Sequence, residues 1–100
     1  MDKLKLKFEN ELYDKIVVAK KECHYNPTYF NQMLAEYGGV ATAKRLIEKD
    51  LSTGNPSDGF TTLYLKRRLD LTMEDSVSNP EYKDLFEQHE IDYCKKILGR

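Results

Sequence analysis

Apolar residues return at helical spacing along most of the chain. Phe8, Leu12, Ile16, Ala19 and Cys23 fall on one face, with Tyr13 and Val17 beside it, which predicts a helix over 8–24. Phe30, Met33, Leu34 and Tyr37 form a second stripe, and Val40, Ala43, Leu46 and Ile47 a third. Gly38 and Gly39 separate these two, so paired helices over 27–37 and 40–50 are expected, with Gly38 at positive φ. Asn26 is the expected cap of the first of them and Pro27 its first residue. Phe60, Leu63 and Tyr64 mark the inner face of a further helix, capped by Ser57 or Asp58. Tyr82, Leu85 and Phe86 follow Asn79-Pro80, and Ile91, Cys94, Ile97 and Leu98 line a last helix closing at Gly99.

Elsewhere the period changes. Lys3-Leu4-Lys5-Leu6-Lys7-Phe8 alternates charged and apolar side chains, which predicts a short extended arm over 1–7. Residues 51–58, LSTGNPSD, are turn-rich and read as a surface loop. Leu69-Asp70-Leu71-Thr72 reads as a short extended step, its leucines inward and Asp70 facing water or Arg68. Thr72 is then expected to cap a short helix over Met73–Ser78. The fold class is all-α: a single domain, 1–100, built as a compact bundle of five to six short helices.

Composition narrows the class. Hydrophobic residues make up 40% of the chain, enough for one modest core. Sixteen Lys and Arg nearly balance 17 Asp and Glu, unlike a strongly basic nucleic-acid binder. The longest apolar run is Ile16-Val17-Val18-Ala19, far short of the ~20 residues of a membrane span. Two cysteines do not make a disulfide framework, and Met1 leads into alternating lysines rather than an apolar signal core, so no secretion signal is expected. A cytoplasmic location is expected.

Three segments carry a recognisable pattern: YNPTYFNQMLAEYGGVATAKRLI, GFTTLYLKRRLDLTMEDSV and PEYKDLFEQHEI. In this order and spacing they resemble a family of small stand-alone bacterial proteins for which no activity is established. The resemblance covers Tyr25 to about Leu98. The chain departs from the family pattern at Tyr64, where a Trp is frequent, and at Glu87, where a Thr commonly caps the last helix. The resemblance implies no catalytic residue.

Candidate chemistry is sparse. Cys23, His24, His89 and Cys94 are zinc-ligand types, but their spacing lacks the close pairs of a structural site. Gly54 and Gly59 have the glycine spacing of a phosphate loop without its lysine. Glu74, Asp75, Glu81, Asp84, Glu87 and Glu90 are expected at solvated helix positions, which leaves no buried acid to serve as a general acid or base. No catalytic residue, metal site or cofactor is therefore assigned, and no enzyme activity is expected. A small protein–protein interaction module fits best, with Tyr25, Tyr29, Tyr82 and Tyr93 as candidate contacts, because tyrosine is enriched at interface hot spots. The other reading is a helix-turn-helix-like nucleic-acid binder that uses the Val40–Asp50 helix, with Lys44, Arg45, Lys49, Arg67 and Arg68 on phosphates. The expected partner is another protein or a second copy of the chain, with nucleic acid as the alternative and no membrane.

Overall fold

Asp2 starts the longest helix by accepting a hydrogen bond from the Leu4 N–H at 2.9 Å. The structure, a computed structural model, describes residues 2–100, so Met1 of the expected arm lies outside it. Helix α1 runs Lys3–Cys23, and the expected extended arm is corrected to helix over residues 3–7. The reason is Leu4, which falls one turn before Phe8 and packs on the same core. Phe8, Leu12, Ala19 and Cys23 are buried as expected, whereas Val17 is 63% exposed on the opposite side.

Helices α2 (Thr28–Tyr37) and α3 (Gly39–Thr53) follow, joined by the single residue Gly38 at φ +83°. The positive φ expected at Gly38 is there. Asn26 does not cap α2. Pro27 stands at that position, and the Asn26 Oδ1 accepts from Asn31 Nδ2 at 3.3 Å instead. Gly39 is where α3 meets α1. A Cβ on Gly39 would lie 2.8 Å from the Glu9 Cα, and its N–H donates to Glu9 Oε1 at 2.7 Å. Only glycine allows this approach.

Helix α3 continues through residues 51–53, so the expected surface loop shrinks to 54–57. Ser57 Oγ accepts from the Phe60 N–H at 3.3 Å and opens α4 (Asp58–Leu65). Phe60 and Leu63 are buried, but Tyr64, expected inward, is 56% exposed and stacks on Phe60. At the end of α4 the Arg67 N–H reaches the Tyr64 carbonyl at 3.0 Å and the Arg68 N–H the Leu63 carbonyl at 2.9 Å. This closing turn usually places glycine where Arg67 stands, at φ +60°.

A 3-10 helix, Leu69–Leu71, replaces the expected extended step, with Leu71 buried and Asp70 held by Arg68 at 3.0 Å. Thr72 Oγ1 then accepts from the Asp75 N–H at 3.1 Å and starts α5 (Met73–Ser78), as expected. Asn79 Oδ1 accepts from the Glu81 N–H at 3.0 Å and begins a second 3-10 helix, Pro80–Leu85. Helix α6 (Gln88–Leu98) ends at Gly99, φ +76°. In place of a threonine cap, Glu90 reaches back from the first turn to accept from the Glu87 N–H at 2.7 Å.

The described residues thus form six α-helices and two 3-10 helices with no strand. Phe8, Leu12, Leu34, Ile47, Val77 and Tyr82 belong to the main core, and Ala19, Cys23, Leu63 and Leu71 form a smaller one at the far end of α1. A radius of gyration of 12.5 Å matches the ~13 Å of one 100-residue domain. No described helix is long and apolar enough to cross a membrane.

The α1–α3 contact makes a prediction. Gly39→Ala should destabilise the fold by about 1–3 kcal/mol, because the new methyl meets backbone that cannot swing aside. Gly38→Ala should cost on the order of 1 kcal/mol for its positive φ. Chemical denaturation measures both. Unchanged stability in Gly39→Ala would show that the two helices are not in backbone contact.

Candidate binding cleft

The small core is incomplete. Between α1, α4 and the 69–74 segment lies a cavity of about 60 Å³, lined by apolar side chains that include Leu12, Ile16, Phe60, Leu63 and Met73. Beside it a wider cleft of about 440 Å³ runs between the start of α2 and the 54–57 loop. Tyr25, Pro27, Phe30, Leu46, Ser57 and Gly59 line both spaces and so form the neck between them. At that neck the Tyr25 hydroxyl packs closely on Gly59, where a Cβ would lie 3.1 Å from the Tyr25 Oη.

Local sequence explains why the neck is where it is. His24 ends α1 in the left-handed conformation at φ 53°, which turns the chain sharply into Tyr25. Pro27 then fixes the entry to α2, and Phe30 follows one turn in. The opposite wall comes from Ser57, which caps α4 two residues before Gly59.

Each of the two spaces has one buried acid in its lining. Glu74 lines the cavity, is 3% exposed, and its carboxylate accepts from its own backbone N–H. Burial raises its pKa to about 7, nearby Asp50 adds to the rise, and Lys15 partly opposes it. Asp50 lines the outer cleft at 3% exposure and accepts from Tyr93 Oη at 2.9 Å. Burial pushes its pKa up as well, countered by the Tyr93 hydroxyl, the Ser57 N–H and Lys49. The third buried carboxylate differs: Glu90 is paired with Lys44 at 2.8 Å. Glu74 and Asp50 make no ion pair among the described residues.

The expectation that Glu74 and Glu90 are solvated is therefore corrected. α5 is covered on nearly every side, with Met73, Glu74, Ser76, Val77 and Ser78 all buried, so its polar composition conceals an interior helix. Of the candidate tyrosines, Tyr25 is half-buried at the neck, its phenol pushed up by burial and by Asp58. Tyr29 is 65% exposed at the rim of the cleft. Tyr93 holds Asp50 from below. Tyr82 is a correction: it is fully buried, its ring edge-on to Phe8 and its hydroxyl donating to Glu11 at 3.0 Å, and it offers no surface to a partner.

The five candidate phosphate ligands are mostly engaged elsewhere. Lys44 is held by Glu90, and Arg45 lies 4.0 Å over the ring of Tyr37. Arg68 is bound by Glu22 at 2.6 Å and by Asp70. Only Lys49 and Arg67 make no ion pair or cation–π contact among the described residues.

Both cysteines are buried. Cys94 is fully buried, and burial first, then Glu74, Asp50 and Glu90, push its thiol far up. Cys23 is buried too, while His24 and His89 are exposed. Among the described residues no group of three His, Cys, Asp or Glu could hold a metal ion.

Sequence reasoning missed both cleft acids. Asp50 was detectable, since it continues the Ala43, Leu46, Ile47 stripe by one helical step. Glu74 carried no such signal. No protein-family model, curated protein or solved structure matches the chain.

Glu74 should govern how stability depends on pH. Its folded pKa lies above its unfolded value of 4.5, so its contribution is present in full below pH 4.5 and lost as pH rises through about 7. Glu74→Gln should therefore gain on the order of 3 kcal/mol relative to the parent between pH 4 and pH 8. Denaturation curves at both pH values give the difference, and a difference independent of pH would place the carboxylate in water. Cys94 should also resist a thiol reagent in the folded protein at neutral pH, as a buried, protonated thiol does. Labelling at the rate of a free thiol would contradict its burial.

Proposed function

We propose that the chain is a small protein-interaction module that receives an anchor side chain of its partner in the cleft between α2 and the 54–57 loop. The observation that carries this reading is the two-step shape of the space: a wide outer cleft, a neck where Tyr25 meets Gly59, and a narrow, mostly apolar cavity behind it. Protein hot spots are built this way, with one side chain desolvated in a pocket and a polar rim around it. Tyr29 stands at that rim with most of its surface in water, and Lys49, Asn55 and Asp58 supply polar contacts around it. Tyr25 at the neck and Tyr29 at the rim are thus the two partner-binding tyrosines, while Tyr93 positions Asp50.

The nucleic-acid reading has less support. Three of its five cations are already held by carboxylates or an aromatic ring, and an engaged cation releases fewer counterions from DNA.

Selection from a displayed random-peptide library tests the proposal. Peptides selected on the parent protein should share one anchor position and should lose at least roughly tenfold in affinity on Gly59→Val, which closes the neck, and on Tyr29→Ala. Circular dichroism confirms that both variants are folded. Peptides that bind Gly59→Val as well as the parent would place the binding surface elsewhere. Retention of the parent on duplex DNA at ~150 mM salt, lost when Lys49 and Arg67 become alanine, would favour the nucleic-acid reading instead.

A further inference from the structure

The cavity is lined mostly by apolar side chains together with the buried acid Glu74, and that combination selects its occupant. Apolar walls alone would suit any aliphatic side chain. A carboxylate more than nine-tenths buried and without an ion pair among the described residues is costly in such a place unless a cation or a proton joins it. The charges around Glu74 do not supply that cation. Lys15 of α1 faces the cavity, but its ammonium is taken by Asp75 at 2.9 Å and the Thr72 carbonyl at 3.0 Å. From α3 comes Asp50, and from α6 come Tyr93 and Cys94, all neutral or negative. Lys44 is bound to Glu90, and Lys49 lines the outer cleft, where its charge acts on Asp50.

From this geometry we propose that the Glu74 cavity receives a lysine side chain of the partner protein, its four methylenes along the apolar walls and its ammonium on the Glu74 carboxylate. The inference rests on the cleft reading above and names the anchor that reading leaves open. Size agrees: about 60 Å³ holds roughly four to six water molecules, and a lysine side chain has five heavy atoms beyond its Cα. Lysine is also the residue whose stem prefers apolar contact while its head demands a charge or water. Arginine fits less well, because its planar fork needs two acceptors in one plane. The outer cleft, several times larger than the cavity, gives the peptide backbone on either side of the lysine a place to lie. A protein source is therefore favoured over a free amine.

The consequence for pH follows from the same pair. Free Glu74 is about half protonated near pH 7, and an entering ammonium drives its proton off. Affinity for lysine should therefore rise several-fold from pH 6 to pH 8, a range in which lysine itself stays charged.

The test compares acetyl-Gly-Lys-Gly-amide with the same peptide carrying norleucine or Nε-acetyl-lysine, titrated into the full chain in the millimolar range and followed by NMR. The lysine peptide should bind roughly tenfold or more tighter than the norleucine peptide, and Nε-acetylation should abolish the advantage. In Glu74→Gln, which removes a buried charge and so keeps the fold, the lysine preference and its pH dependence should both disappear. A lysine preference that survives Glu74→Gln overturns the inference. So does norleucine binding as tightly as lysine, although the cleft reading then stands. If n-butylammonium binds tighter than the lysine peptide, the ligand is a free amine and the proposed source is wrong. If no peptide binds at the cleft, the cleft reading falls with the inference.

Discussion

Everything in this fold is placed by the contact of Glu9 with Gly39. Two helices ordinarily keep 8–10 Å between their axes because side chains stand between them. Here the α3 backbone sits directly on the Glu9 Cα, and the Glu9 carboxylate takes one of the free N–H groups at the α3 start. The same carboxylate lies where a Cβ on Gly38 would come, so both glycines answer to one side chain. With α3 fixed on α1, α2 follows, since only Gly38 separates the two. α1 then serves as the spine against which α5 and both 3-10 helices also pack.

The cleft is a consequence of that arrangement. At the Phe8 end of α1 the core closes with three aromatic rings, Phe8, Tyr82 and Phe86, in edge-on contact. At the Cys23 end the small residues Ala19 and Cys23 leave the spine thin, and α4 is short. Nothing large fills the space between them, so a cavity remains, and α5 brings Glu74 to its wall. Within the interior Glu11 is matched across long distances with Ser76 and Tyr82, whereas Thr42 Oγ1 has no hydrogen-bond partner among the described residues and Glu74 makes no ion pair. Its missing counter-charge is what sets the chemistry of whatever fills the cavity.

How much of this was legible in the sequence varied with the range of the interaction. The apolar stripes, the Gly38 turn and the Ser57 and Thr72 caps depend on residues within four positions of each other, and they were readable. The N-terminal arm was misread because its alternation of lysine and leucine obeys a period of two, while a single long-range contact, Leu4 on the core, decides for helix. Tyr82 looked like a free surface tyrosine because its partner Glu11 lies 71 positions away. α5 was the hardest case. Its sequence MEDSVS is polar by composition, and only the covering of every face by neighbours makes Glu74 a buried acid. The cleft was invisible for the same reason: it is made by what α1 and α4 fail to fill.

The central claim is that Glu74 is a buried carboxylate without a counter-charge. Carbon-13 NMR of the Glu74 carboxyl in the free protein, titrated from pH 3 to pH 9 and assigned by its loss in Glu74→Gln, measures this directly. The account predicts a midpoint near 7. A midpoint at the ordinary glutamate value of about 4.3 would mean that water or a cation already satisfies the carboxylate, and would contradict the account.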